Sequence, residues 1–153
     1  MATNKSKTKV VIVGGGFAGL AAARALSSQN VEITLFDRKN HHTFQPLLYQ
    51  VATATLAPSD IAQPIRSILS DHKNIEVVMD NVIAFDSQAK CVKTQTGISL
   101  AYDYLIVATG ASHSYFGNEQ WEQFAPGLKS IEDALHIRSR ILGDVTTDTT
   151  TET

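Results

Sequence analysis

One stretch constrains the chain more than any other: Lys9 to Leu26, which reads KVVIVGGGFAGLAAARAL. Val10, Val11, Ile12 and Val13 form a continuous apolar run of β-branched residues, and Gly14, Gly15 and Gly16 end it at once. Apolar residues without alternation suit a strand covered on both faces, the pattern of a buried parallel sheet. Beyond the glycines, Leu20, Ala23 and Leu26 recur at helical spacing among alanines, so the glycines join a strand to a helix. Gly14, Gly16 and Gly19 fit the spacing G-x-G-x-x-G. In that arrangement the first glycine permits a tight turn, the second lets backbone approach a pyrophosphate, and the third lets helix and strand pack closely. The helix N-terminus then offers N–H groups and the positive end of its dipole to phosphates.

A second strand, Val31 to Phe36, follows the helix, and Asp37 closes it 18 residues after Gly19. An acidic residue about 20 residues beyond the glycines is placed to meet ribose hydroxyls. Arg38 and Lys39 follow as solvated or adenosine-flanking charges, since Asp37 would repel a 2′-phosphate. The stretch therefore predicts a dinucleotide site held mostly by backbone.

The remaining composition narrows the options. At 153 residues the length suits about one domain, and a net charge of −2 gives no electrostatic footprint for nucleic acid. No apolar run approaches the ~18 residues of a membrane span, and no apolar signal core follows the lysines of the first nine residues. A single cysteine, Cys91, excludes an internal disulfide or a Cys-x-x-Cys pair. These features predict a cytoplasmic chain.

Further along, His41 to Ser70 is a long excursion broken by Pro46 and Pro58, with a helix expected from Pro64 and an alternative, earlier cap at Ser59. Long connections of this kind are often functional. His41 and His42 are adjacent, so on an extended chain they point apart and make a poor metal pair. Strands are expected at Ile75 to Met79 and Val82 to Phe85, with a polar kink at Asp80 and Asn81; Cys91 to Thr94 and Ile98 to Ala101 alternate apolar and polar residues about a turn at Gly97 and suggest a small antiparallel meander. Tyr104 to Thr109 reads as another apolar strand that ends at Gly110, bringing backbone toward the same carboxyl edge. Ser114 to Gly127 is aromatic and loop-like. Ser130 to Leu142 reads as a helix capped by Ser130, and residues 143–153, rich in threonine, as a disordered tail. The expected division is a flexible 1–9, a nucleotide-binding segment 10–128, a linking helix 129–142 and the tail. The fold class is α/β: a Rossmann-like domain with a parallel sheet and an antiparallel meander.

The residues GGGFAGL, FDRKNHHTFQPLLYQVATATLAPSDIAQPIR, YDYLIVATGA and APGLKSIEDA resemble the type II NADH dehydrogenases, single-subunit flavoenzymes that pass electrons from NADH to a quinone. FQPLLYQVA is the specific part, whereas the glycine motif and the ATG segment belong to the wider two-dinucleotide flavoprotein superfamily. The resemblance implies FAD as cofactor, with its pyrophosphate on Gly14, Gly16, Phe17 and Ala18 of the motif that Gly19 completes. It implies the adenosine ribose on Asp37 with Arg38 beside it, adenine against the backbone of Val82, and a second FAD contact at Thr109 and Gly110. Pro46, Leu47, Tyr49 and Gln50 match the segment that passes the flavin ring toward the quinone, Gln50 being the foremost candidate for quinone contact, although Leu47 and Tyr49 also suit core packing. No side-chain nucleophile, metal cluster or catalytic residue is expected, because the flavin carries the chemistry.

The family also has a second nucleotide-binding unit for NADH, a returning FAD segment, and terminal helices that hold the enzyme peripherally on the cytoplasmic face of a membrane. Nothing after Leu142 resembles these, so the chain resembles an incomplete first FAD-binding segment, expected to be poorly soluble and poor in catalysis alone. Competing readings are a non-catalytic FAD-binding module, a sulfide:quinone-type flavoprotein, a thiol-disulfide reductase and a plain NAD-binding dehydrogenase. Thiol-disulfide chemistry is disfavoured because His41 to Ser70 contains no cysteine, and the plain dehydrogenase because its first unit would lack the long excursion and the meander.

Overall fold

A β-branched run without alternation needs apolar cover on both faces, and the architecture supplies it. The computed structural model describes residues 7–148. The elements run β1 (Thr8–Val13), α1 (Phe17–Leu26), β2 (Val31–Asp37), β3 (His41–Thr43), α2 (Leu48–Ala52), α3 (Pro58–Ile61), β4 (Ala62–Pro64), α4 (Ile65–Ile68), β5 (Ile75–Met79), β6 (Val82–Asp86), β7 (Cys91–Thr94), β8 (Ser99–Ala101), β9 (Tyr104–Val107) and α5 (Ile131–Asp148). No helix among the described residues is long and apolar enough to cross a membrane.

Packing divides the chain into two units, one containing the residues up to His42 together with Pro64–Gly110, the other Thr43–Gln63 together with the residues from Ala111 on. In the first, β5, β2, β1 and β9 form a parallel sheet in that order. Successive residues of β1 face opposite ways. Val10 and Ile12 pack with Ile33 and Leu35 of β2, Leu20 and Ala23 of α1, and Ile65 and Leu69. Val11 lies in the other layer with Phe36, Val92 and Tyr102, covered by the antiparallel sheet β6-β7-β8. Helices thus cover one face and the meander the other, the Rossmann-like arrangement expected. The strand order reverses between β1 and β9, because β2 and β5 extend to one side of β1 and β9 lies on the other. Open parallel sheets bind ligands at such a reversal, beyond the carboxyl ends of the strands.

In the second unit, Leu48, Val51 and Ala52 of α2 and Ile61 of α3 pack around Ala134 of α5. The start of α5 is tied reciprocally: Ser130 Oγ accepts the Asp133 N–H at 3.2 Å, while Asp133 Oδ2 accepts the Ser130 N–H at 2.9 Å. Burial would raise the Asp133 carboxyl, but bonds from the Lys129 and Ser130 N–H groups and the Ser130 hydroxyl outweigh it and hold the group below the usual range.

Several boundaries differ from expectation. Within the excursion after β2, Thr43–Gln63 packs with α5, which completes the apolar face of α2, whereas the residues from Pro64 rejoin the first unit. Ile75–Met79, expected as a strand without an assigned sheet, joins the parallel sheet, its register running Ile33↔Ile75 to Asp37↔Met79. Pro64 ends β4 and precedes α4 instead of opening the helix, and Asp60, not Ser59, closes the start of α3 by accepting the Ala57 N–H at 2.8 Å. Strand β9 stops at Val107, short of Thr109. Thr8 and Lys9 belong to β1, fixed by the pairing Thr8↔Val31 and by the Lys9 N–H on Asp103 Oδ2 at 2.7 Å. Helix α5 passes Leu142 to Asp148, as propagation of an existing helix adds one hydrogen bond per residue. Residues 1–6 and 149–153 of the expected flexible ends lie outside the described residues.

The kink at Asp80 and Asn81 is where the chain leaves the parallel sheet for the meander, and Asp80 is buried there. The Thr94 hydroxyl above all, then the Thr96 hydroxyl, with the Asn81 N–H, hold its carboxyl below the ordinary aspartate range against the opposing effect of burial. A carboxyl with a depressed folded value stabilises the fold above its unfolded value, near pH 4. That stability is lost as pH falls through the lower, folded value. The melting temperature should therefore drop below about pH 4, and Asp80→Asn should lower it at neutral pH while flattening the acid limb. Thermal melts from pH 3 to pH 7 check this, and an acid limb unchanged in Asp80→Asn would refute it.

Candidate functional site

The glycine turn sits at the carboxyl end of β1, at the strand-order reversal. Gly14 has φ +108°, which L side chains rarely adopt, and a Cβ there would stand 2.2 Å from the Ala108 carbonyl oxygen just past β9. The Gly14 N–H donates to the Phe36 carbonyl at 2.7 Å, and the Ala108 N–H donates to the Val13 carbonyl at 2.8 Å. At Gly19 a Cβ would lie 1.8 Å from the Gly14 carbonyl oxygen, so the helix rests directly on the turn. Gly16 is the exception: nothing stands within 4 Å of its missing Cβ. It precedes α1, whose first turn carries Phe17 and Ala18 on the exposed side.

Asp37, at the end of β2, is tied to this turn by one carboxylate oxygen and to its own following residues by the other. Its Oδ2 accepts the Gly15 N–H at 2.5 Å and its Oδ1 accepts the Lys39 N–H at 2.7 Å. Arg38 between them is exposed. The Asp80 N–H donates to the Asp37 carbonyl at 2.9 Å, which ties in the corner leading to Val82. Thr109 and Gly110 are exposed beyond β9, Gly110 at φ +72°. The structure therefore brings Gly14, Gly16, Phe17, Ala18, Gly19, Asp37, Arg38, Val82, Thr109 and Gly110 to one edge of one unit.

His42 belongs to this edge and was not singled out as a binding residue from the sequence. Its Nδ1 lies 3.2 Å from the Gly15 carbonyl oxygen, and its ring meets Phe17 edge to face at 4.9 Å. The separation of 27 positions from Gly15 to His42 leaves no local pattern from which the contact could be read. His41 turns elsewhere, with Nδ1 3.0 Å from Asn40 Oδ1.

Pro46, Leu47, Tyr49 and Gln50 lie in the other unit. Pro46 is exposed in a single 3-10 turn at Gln45–Leu47, and Leu47 packs against the α2 core. Tyr49 is 56% exposed, which removes it from that core, and Gln50 Nε2 donates to its hydroxyl at 3.2 Å. The Gln50 carbonyl also accepts the Thr55 and Leu56 N–H groups at 2.8 and 3.1 Å, holding the turn after α2. Cys91 is a half-buried free thiol, its Sγ 3.1 Å from Ser99 Oγ.

The sequence profile of the pyridine nucleotide-disulphide oxidoreductase family matches residues 8–146. The chain belongs to that family. Among similar proteins, Ndh of Mycobacterium tuberculosis, a type II NADH:quinone oxidoreductase, is 48% identical over 137 residues, covering 88% of this chain and 30% of that protein. The structure of NDH2 from Plasmodium falciparum in complex with NADH is similar with a TM-score of 0.84 at 27% identity, covering 94% of this chain and 30% of the other. A sulfide:quinone oxidoreductase from Aquifex aeolicus gives 0.79 at 28% identity, covering 89% and 32%. The chain thus spans about 30% of the length of the curated relative it matches.

Proposed function

We propose that this chain forms the FAD-binding part of a type II NADH:quinone oxidoreductase. The observation that carries the reading is the contrast within the glycine turn: Gly14 and Gly19 are closed in by backbone, whereas Gly16 opens onto free space at the start of α1. An anion fits that opening, where backbone N–H groups and the helix dipole favour negative charge, so the residues present suit a dinucleotide. Gly14, Gly16, Phe17, Ala18 and Gly19 hold the pyrophosphate in this reading. Asp37 and Arg38 meet the adenosine ribose, Val82 the adenine through its backbone, and Thr109 and Gly110 a second part of FAD.

When bound, the flavin supplies hydride acceptance from NADH and electron transfer to quinone. The chain's own residues bind and orient it. Pro46, Leu47, Tyr49 and Gln50 belong to the segment beside the flavin and quinone, Gln50 with its exposed partner Tyr49 being the candidate for quinone contact. The 48% identity to a mycobacterial NADH:quinone oxidoreductase supports this substrate pair. In this reading the intact enzyme works peripherally on the cytoplasmic face of a membrane. The similarity to a sulfide:quinone oxidoreductase supports a second reading at the level of fold, with no cysteine beside the glycine turn to favour it.

The test is a titration of the cofactor-stripped chain with FAD, read by quenching of flavin fluorescence and repeated with NADH as competitor. Saturable FAD binding that NADH does not displace is the expected result, with little NADH-to-quinone turnover by this chain alone. Displacement by NADH at comparable affinity, or no FAD binding by a folded chain, overturns the reading.

A further inference from the structure

Gly15 is held through both of its backbone polar groups, which belong to two successive peptides. Its N–H donates to Asp37 Oδ2 at 2.5 Å, and its carbonyl lies 3.2 Å from His42 Nδ1. A carbonyl oxygen only accepts, so the imidazole must carry its proton on Nδ1 for the second bond to exist. The Gly15 carbonyl belongs to the same peptide plane as the Gly16 N–H. Fixing the direction of one therefore fixes the other, and the two point opposite ways in a trans peptide. Gly16 itself stands exposed, with nothing within 4 Å of where its Cβ would be. The His42 ring also braces Phe17, the first residue of α1, edge to face.

We infer that His42 is a positioning residue of the dinucleotide site, setting the Gly15–Gly16 peptide so that the Gly16 N–H faces a pyrophosphate. This rests on the reading of the glycine turn as a dinucleotide site. Asp37 alone does not orient the Gly15–Gly16 peptide, because its hydrogen bond is to the Gly15 N–H of the preceding peptide, and the next one is set by Gly15 φ and ψ. Glycine resists rotation about these angles least of all residues. The role is specific to ligands with phosphates at the turn, as adenosine alone has nothing to place there.

Three measurements test it. Nitrogen-15 NMR of the ligand-free chain above the imidazole titration range should report the Nδ1–H tautomer for His42, and the Nε2–H tautomer would overturn the inference whatever the chain binds. His42→Phe keeps an aromatic edge for Phe17 but removes the donor. It should weaken FAD and ADP about tenfold, the effect of losing one well-placed hydrogen bond, while leaving adenosine affinity and the melting temperature unchanged. His42→Asn places an amide donor near the Nδ1 position and should recover most of the loss. Unchanged FAD and ADP affinity in His42→Phe, or an equal loss for adenosine with a lower melting temperature, would overturn the positioning role. Absence of FAD and ADP binding in the unsubstituted chain removes the dinucleotide reading and the role of His42 with it, whereas binding unaffected by His42→Phe removes the role alone.

Discussion

Gly19→Ala is expected to destabilise the chain by about 3 kcal/mol or more. The new Cβ would lie 1.8 Å from the Gly14 carbonyl oxygen and 3.0 Å from its carbon. Both atoms are backbone, held by the Gly14 N–H bond to Phe36 at 2.7 Å, so no flexible side chain can move aside. Helix α1 would have to lift off the turn, pulling Leu20 and Ala23 from the core they share with Val10 and Ile12. Against a typical domain stability of about 5–15 kcal/mol, that loss is large. Gly16→Ala is the matched control: with nothing within 4 Å, it should cost under about 1 kcal/mol yet weaken FAD. Urea unfolding and FAD titration of both variants separate the two effects. A wild-type urea midpoint for Gly19→Ala, or unchanged FAD affinity for Gly16→Ala, would show that the turn is not built as described.

Phe36→Ala should cost about 3–5 kcal/mol. Phe36 is 1% exposed and stands between the parallel sheet and the meander, with Val11, Val92 and Tyr102 around it. Truncation leaves a cavity that the paired strands on both sides cannot close. Phe85, on β6, offers the contrast, since it is 61% exposed and Phe85→Ala should change stability by no more than about 0.5 kcal/mol. Urea midpoints for the pair, with amide hydrogen exchange at β7, decide the matter. If Phe85→Ala cost as much as Phe36→Ala, the outer face of β6 would carry packing that this structure does not give it.

The parts of the chain whose signal is local were legible without the structure. Val10–Val13 announce a covered strand, the glycine spacing announces the turn, and Ser130 announces the start of α5 three residues ahead of Asp133. What was not legible depends on distant partners. The short run Ile75–Met79 reads as a strand but carries nothing that names its sheet, and only the neighbouring Ile33–Asp37 assigns it to the parallel one. The apolar face of Leu48, Val51 and Ala52 signals burial but not that α5 would bury it. At the candidate site the spacing of Asp37 from Gly19 could be read directly. Its engagement with the Gly15 N–H and the approach of His42 to the Gly15 carbonyl could not, since both depend on how β2 and the chain after it meet the turn.

The interleaving of the second unit also has a consequence for how the chain is made. Helix α2 leaves the ribosome about 80 residues ahead of α5, whose Ala134 completes its packing. At roughly 5–20 residues per second, Leu48, Val51 and Ala52 wait about 4–16 s for that partner, while β4 to β9 emerge in the interval to join β1 and β2, which are already made. The nascent chain therefore acquires its glycine turn first and spends those seconds with the apolar face of α2 exposed to the cell's chaperones.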